Sequence, residues 1–153
     1  MVAVNERTVR ASAETVWDVL ADGWLYPLWV VGASRMREVD GHWPEVGSRL
    51  HHSVGSWPLL VDDETEVVDV SPGESLTLLA KARPSGVARV TIRLEPLGAE
   101  TRVVIEEDAV SGPALLVPKP LRRLTLKWRN IESLRRLAYV AERRVAGDPE
   151  RRG

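Results

Sequence analysis

Thr15-Val16-Trp17-Asp18-Val19-Leu20, followed after Ala21-Asp22-Gly23 by Trp24-Leu25-Tyr26-Pro27-Leu28-Trp29, is the stretch that decides the fold. Val16, Val19 and Leu20 fall at i, i+3 and i+4, one face of a helix, while Trp17 and Asp18 point elsewhere. Ser12 offers the N-cap, Glu14 brings negative charge to the first turn, and Asp22-Gly23 ends the segment. A second short helix or turn then carries Trp24 to Val30. Only one strand precedes this helical patch. Residues 2–10 alternate loosely, with Val2, Val4, Thr8 and Arg10 set against Ala3 and Val9.

Beyond Ser34 the punctuation changes to turn chemistry: Asp40-Gly41, Gly47-Ser48, Gly55-Ser56, Ser71-Pro72-Gly73, Pro84-Ser85-Gly86 and Leu97-Gly98-Ala99. The β-branched, alternating runs between these turns predict six strands, near 34–39, 47–54, 59–70, 75–82, 86–96 and 101–110. With no helical pattern between them, they read as an antiparallel meander. Period two then assigns faces. Ala88, Val90, Ile92 and Leu94 share one side of their strand, and Val103, Ile105 and Glu107 one side of theirs. Leu50 and Val54 share a side with His52, which makes His52 rather than His51 the inward histidine. The strand at 59–70 has no unique phase, because Val67 and Val68 are consecutive and a bulge there reverses it.

Gly112-Pro113 stops the last strand, and Pro120 suits the first turn of a final helix over 121–145. At about 100° per residue, Leu121, Leu124, Trp128, Ile131, Leu134, Ala138, Ala141 and Val145 form one broad apolar arc, with Arg129, Glu132, Arg136 and Arg143 opposite. Such a helix runs roughly 37 Å, longer than a strand, and is satisfied only by lying across a curved sheet. The order of elements therefore predicts an α+β sheet gripping a helix around an apolar cavity. Residues 147–153 form a polar tail that is expected to fray.

The totals are those of one domain. A chain of 153 residues hides about 68–70% of its unfolded surface, enough for one sizeable core. A net charge of −1 gives no global attraction to nucleic acid, and the basic residues of the last helix scatter around its wheel. Zero cysteines exclude disulfides and thiolate chemistry. Charges near the N-terminus interrupt any signal-peptide pattern, and no apolar run approaches the ~20 residues of a membrane span, so a cytoplasmic protein without an integral membrane segment is expected. Six Trp accompany two Tyr and no Phe, and five of the six precede residue 60. Because indole carries a polar N–H on an apolar body, this concentration suits a cavity wall or entrance.

Reactive constellations are sparse. Three histidines, two of them adjacent and so on opposite faces of a strand, do not make a metal site, and no cofactor motif or nucleophile elbow occurs. His52, with an ordinary pKa of about 6.5, fits a cavity acid or base, or else a hydrogen-bonded core histidine. Glu107, if desolvated, is a candidate base; its alternative is an ion pair with Arg135. Asn130, at the edge of the apolar arc, fits a ligand-orienting amide or a solvated border position.

In this order of elements, in Ala13-Glu14-Thr15-Val16-Trp17-Asp18-Val19-Leu20, in Tyr26-Pro27-Leu28-Trp29, in Val67-Val68-Asp69-Val70-Ser71-Pro72-Gly73-Glu74-Ser75-Leu76 and in the C-terminal helix, the chain resembles the START-like (helix-grip, SRPBCC) superfamily, in its polyketide cyclase/dehydrase-type branch. The resemblance covers nearly the whole chain and implies one START-like domain over residues 1–146, a seven-stranded antiparallel sheet wrapped around the long helix, with two short helices closing one end. It further implies a cavity for a lipid-like or aromatic, polyketide-like molecule. The expected lining is Tyr26, Trp29, His52, Trp57, Val90, Ile92, Ile105, Glu107, Leu124, Trp128, Asn130 and Ile131. No catalytic residue carries over; His52 and Glu107 are the candidates if the chain is a cyclase or dehydratase. A protein-interaction module using the basic helix is a further reading, and the oligomeric state is open between monomer and homodimer.

Overall fold

The computed structural model describes residues 3–31, 33–54, 61–82 and 86–147. Its elements run β1 (Ala3–Val9), α1 (Ala13–Leu20), a 3-10 turn (Gly23–Leu25), α2 (Tyr26–Trp29), then six strands, β2 (Ala33–Val39), β3 (Arg49–Val54), β4 (Val61–Ser71), β5 (Ser75–Ala82), β6 (Gly86–Leu97) and β7 (Glu100–Ser111). A second 3-10 turn (Pro113–Leu116) leads to α3 (Lys119–Gly147). Ser12 caps α1 as its hydroxyl predicts, accepting the Thr15 backbone N–H at 3.2 Å. Thr15, Val16, Val19 and Leu20 are the buried face of that helix.

The sheet order is β1-β7-β6-β5-β4-β3-β2, with all neighbours antiparallel. β1 and β2, consecutive in the chain, therefore lie on opposite edges, and the α1–α2 segment is the bridge between them. That bridge packs tightly. A Cβ on Gly23 would sit 2.5 Å from Leu50 Cδ2 and 2.8 Å from Val39 Cγ1, so only glycine lets the backbone come so close to β2 and β3. From β2 to β7 the strands form the expected meander.

Alternation holds where the sequence reading placed it. Leu50, Ile92, Leu94, Val103 and Ile105 are buried in one cluster with Val16, Val19 and Leu20, and His52 and Glu107 are buried beside them. In β4 the buried positions are Asp63, Thr65 and Val67. The register against β5 slips between Val67 and Asp69, so the bulge falls at Val68 and the strand changes phase there.

The last helix corrects the sequence reading. It starts at Lys119 and continues to Gly147. Its buried residues are Leu126, Asn130, Ser133, Leu134, Leu137, Ala138 and Ala141. Leu121, Leu124, Trp128 and Ile131, the first half of the expected inward arc, are exposed. Leu134, Ala138 and Ala141 keep the place expected of them. α3 packs against β1, α1 and α2, mainly through this second half, and its N-terminal half carries a polar inner face. The expected tail beyond Gly147 lies outside the described residues.

Candidate functional site

A cavity of about 250 Å³ lies between the sheet, α2 and α3. Its walls are mostly apolar: Trp29 from α2, Leu78 from β5, Ala88 and Val90 from β6, Ile105 from β7 and Leu126 from α3. Period two aims Val90, Ile105 and Glu107 from neighbouring strands to the same side, so the carboxylate enters an otherwise hydrocarbon surface.

Two polar groupings break that surface. In one, Thr65 is a hub: its Oγ1 lies 2.8 Å from His52 Nε2 and 3.2 Å from the Tyr26 hydroxyl. Tyr26 also meets the His52 ring at 5.4 Å between centroids and the edge of Trp29 at 5.5 Å. Burial pushes the Tyr26 phenol up to about 12, so it keeps its proton. Burial pushes His52 the other way, below the usual imidazole range, although Asp63, its register partner on β4, opposes the shift. The imidazole is thus neutral near pH 7, and its Nδ1 is buried with no hydrogen-bond partner among the described residues. One arrangement of the chain's protons runs from Tyr26 O–H to Thr65 O–H to Nε2 and leaves the imidazole proton on Nδ1; the reverse arrangement has Nε2–H donating to Thr65.

The other grouping centres on Glu107, only 3% exposed, which accepts a charge-assisted hydrogen bond from the Arg129 guanidinium. Desolvation raises its pKa above the ordinary carboxylate value; Arg129 and the Asn130 amide pull in the opposite direction without reversing the shift. The Arg129 side chain is 35% exposed, so it spans from the carboxylate to the solvent. Asn130 is buried, and its amide favours the charged form of the Glu107 carboxylate beside it. The cavity therefore holds an imidazole and an amide beside a retained phenol and an ion pair. Such a set orients a mostly apolar molecule by a few polar atoms.

Of the residues expected to line a cavity, Tyr26, Trp29, His52, Val90, Ile105, Glu107 and Asn130 do so. Ile92 is fully buried in the core beneath and does not reach the space. Leu124, Trp128 and Ile131 are on the solvent side of α3. Trp57 lies outside the described residues. Glu107 takes Arg129 as its ion-pair partner, whereas Arg135, the partner weighed from the helical projection, is engaged by Glu132 at 2.8 Å. The sequence reading missed Arg129, Leu126 and Ser133, all lining the cavity from α3, and the hub Thr65. The signal for the first three was present in one fact: Leu126, Arg129, Asn130 and Ser133 are linked by steps of three and four along the helix. Among the described residues no group of three metal-ligating side chains comes together.

Comparison with known proteins places these features in a wider set. Residues 1–142 match the family described as polyketide cyclase / dehydrase and lipid transport. No curated protein matches the chain. Among solved structures, it is similar to protein NE0264 from Nitrosomonas europaea, at 18% identity and a TM-score of 0.74 over 95% of this chain and 97% of that one. The Zhui aromatase/cyclase from Streptomyces sp. R1128 is similar at 21% identity and a TM-score of 0.69, over 95% of each chain. Protein MLL2253 from Mesorhizobium loti gives 19% identity and 0.70, over 94% of this chain and 98% of that one. At these identities the likeness is one of fold.

Proposed function

Because the chain belongs to the polyketide cyclase/dehydrase and lipid transport family, we propose that it binds a hydrophobic small molecule, lipid-like or aromatic and polyketide-like, in the cavity between the sheet and α3. The observation that carries this reading is the cavity itself: an apolar space with the Glu107–Arg129 pair, the Asn130 amide and the Tyr26–Thr65–His52 chain on its walls. Its volume of about 250 Å³ falls near the small end of ligand pockets, which run from about 300 Å³ upward, so a compact molecule fits better than a bulky one. The apolar walls supply affinity and the polar groups on them supply orientation.

Native mass spectrometry and displacement of a bound environment-sensitive dye by a panel of fatty acids, sterols and aromatic polyketides test the reading. Val90→Trp, which fills the space from β6, is expected to abolish displacement while leaving the circular dichroism spectrum unchanged. If no member of the panel binds, or if Val90→Trp binds as well as the parent, the reading fails.

A second reading, a cyclase or dehydratase, draws on a specific feature: a neutral imidazole and a retained phenol joined through one hydroxyl, both on the cavity wall. A neutral His52 takes a proton from an acidic carbon, and the Tyr26 hydroxyl donates to the oxygen where negative charge then develops. Glu107, raised by burial, is the alternative proton acceptor. Turnover of an accepted substrate that survives both His52→Ala and Glu107→Gln would remove this reading and leave binding alone.

A further inference from the structure

Three buried side chains from three elements meet through their polar atoms. Thr65 on β4 lies opposite Leu50 on β3, and His52, two residues further along the same face of β3, is its diagonal neighbour. Tyr26 reaches the pair from α2, and none of the three is more than 5% exposed. The Thr65 hydroxyl bonds to Tyr26 and to His52 and, among the described residues, to no backbone group. A valine of the same shape would fill the space without burying a polar atom, so what the hydroxyl adds is the link between the other two.

The protons of such a chain run one way or the other, and acidity and pairing both select one direction. A phenol is a more acidic hydroxyl than that of threonine, and a neutral imidazole nitrogen is a strong acceptor. Running from Tyr26 O–H to Thr65 O–H to His52 Nε2 therefore puts the best donor at one end and the best acceptor at the other, and each bond polarises the next. In the reverse sense, from Nε2–H through Thr65 to the Tyr26 oxygen, the phenol proton loses its acceptor, because among the described residues Thr65 is the only partner of that hydroxyl. With its proton committed to Thr65, the Tyr26 oxygen keeps only a lone pair for a further bond. Tyr26 lines the cavity, so this part of the wall offers a ligand an acceptor and no donor.

We propose that Tyr26, Thr65 and His52 form a one-way hydrogen-bond chain that selects an apolar ligand bearing a hydroxyl, an alcohol or a phenol, whose O–H donates to the Tyr26 oxygen; this rests on the reading of the cavity as a binding site. A ligand hydroxyl placed there lengthens the chain in its favoured sense, with every bond pointing towards Nε2. A ligand whose only oxygen is an ether or a ketone brings a lone pair to a lone pair, and is accepted only by reversing the chain. The cyclase reading uses Tyr26 as a donor and so needs that reversed sense, which makes the direction of the chain a way of telling the two readings apart.

Dye displacement from the whole protein by four naphthalenes tests this. 2-Naphthol against 2-methylnaphthalene measures what a hydroxyl adds to a matched apolar body, and 2-methoxynaphthalene against 2-ethylnaphthalene measures what a bare acceptor adds. The hydroxyl is expected to improve affinity about three- to tenfold and the ether oxygen to weaken it. Tyr26→Phe should cancel the advantage of the hydroxyl. Thr65→Val, which keeps the shape and releases the phenol proton, should remove the penalty on the ether, with an unchanged circular dichroism spectrum. Without any ligand, nitrogen-15 NMR of the wild-type protein near pH 7, with the His52 signals identified by their loss in His52→Gln, should show the proton on Nδ1 and none on Nε2. The proposal is overturned, with binding left standing, if the ether gains as much as the hydroxyl, if Tyr26→Phe retains the advantage of the hydroxyl, or if Nε2 carries the proton. Displacement by neither the four naphthalenes nor the panel above removes the binding reading itself, and this proposal with it.

Discussion

At the scale of single residues, the interior of this protein resists charge in two directions. His52 is held below its ordinary value by burial, so just below about pH 6.5 the unfolded chain takes up a proton that the folded chain refuses. Stability is lost as pH falls through that window, because the unfolded state binds more protons there. His52→Gln, which keeps a polar partner for Thr65, should flatten the loss; thermal melts across this range check it. Glu107 is shifted upward, so just above about pH 4.5 the folded chain holds a proton that the unfolded chain has released, and this group's contribution falls as pH rises. Glu107→Gln should therefore leave the melting temperature at neutral pH unchanged or a few degrees higher, and the difference should vanish in acid. A clear drop at pH 7 would mean that the Arg129 pair outweighs the cost of burial.

At the scale of elements, two local devices are separable from the core. Ser12 caps α1 through its hydroxyl, and Ser12→Ala should cost about 1 kcal/mol in denaturant melts without changing cavity binding. Gly23 is a different kind of constraint. Gly23→Ala drives a methyl group into Leu50 and Val39, so it should cost about 1–3 kcal/mol by overpacking where α1 hands over to α2. On α3 the two halves respond differently. Leu137→Ala, fully buried in the core, should cost about 2–5 kcal/mol, whereas Leu124→Ser, on the exposed side of the helix, should change stability by less than about 0.5 kcal/mol. Equal losses at the two positions would place Leu124 in the core.

At the scale of the whole molecule, the path between β1 and β2 explains why a cavity exists. The two strands stand on opposite edges of the sheet, and the segment joining them must cross from one edge to the other. α1 and α2 make that crossing, and α2 brings Tyr26 and Trp29 to one wall of the space, while α3 supplies another. The second half of α3 packs closely through Leu134, Leu137, Ala138 and Ala141; its first half offers Asn130 and Ser133 in their place. Small and polar side chains fill less volume and bring hydrogen-bonding atoms with them, so the space between helix and sheet stays open at that end.

What the sequence determined alone was the element order and the direction of most strand side chains. Period two is a local property of the backbone, so Val103, Ile105 and Glu107 had to share a face, and burial of Val103 carried the carboxylate inward with it. His52 followed Leu50 for the same reason. The final helix was decided elsewhere. Leu121-Leu124-Trp128-Ile131 and Leu126-Asn130-Ser133-Leu137 both obey the helical period, and the first row is the more apolar. Only the fit of Leu134, Leu137, Ala138 and Ala141 against β1, α1 and α2 fixes the rotation of the helix. A rigid helix carries that rotation back through Asn130 to Leu126. The richer apolar row is thereby turned to the outside, Arg129 is brought to Glu107, and the wall of the cavity is set by contacts that no local pattern contains.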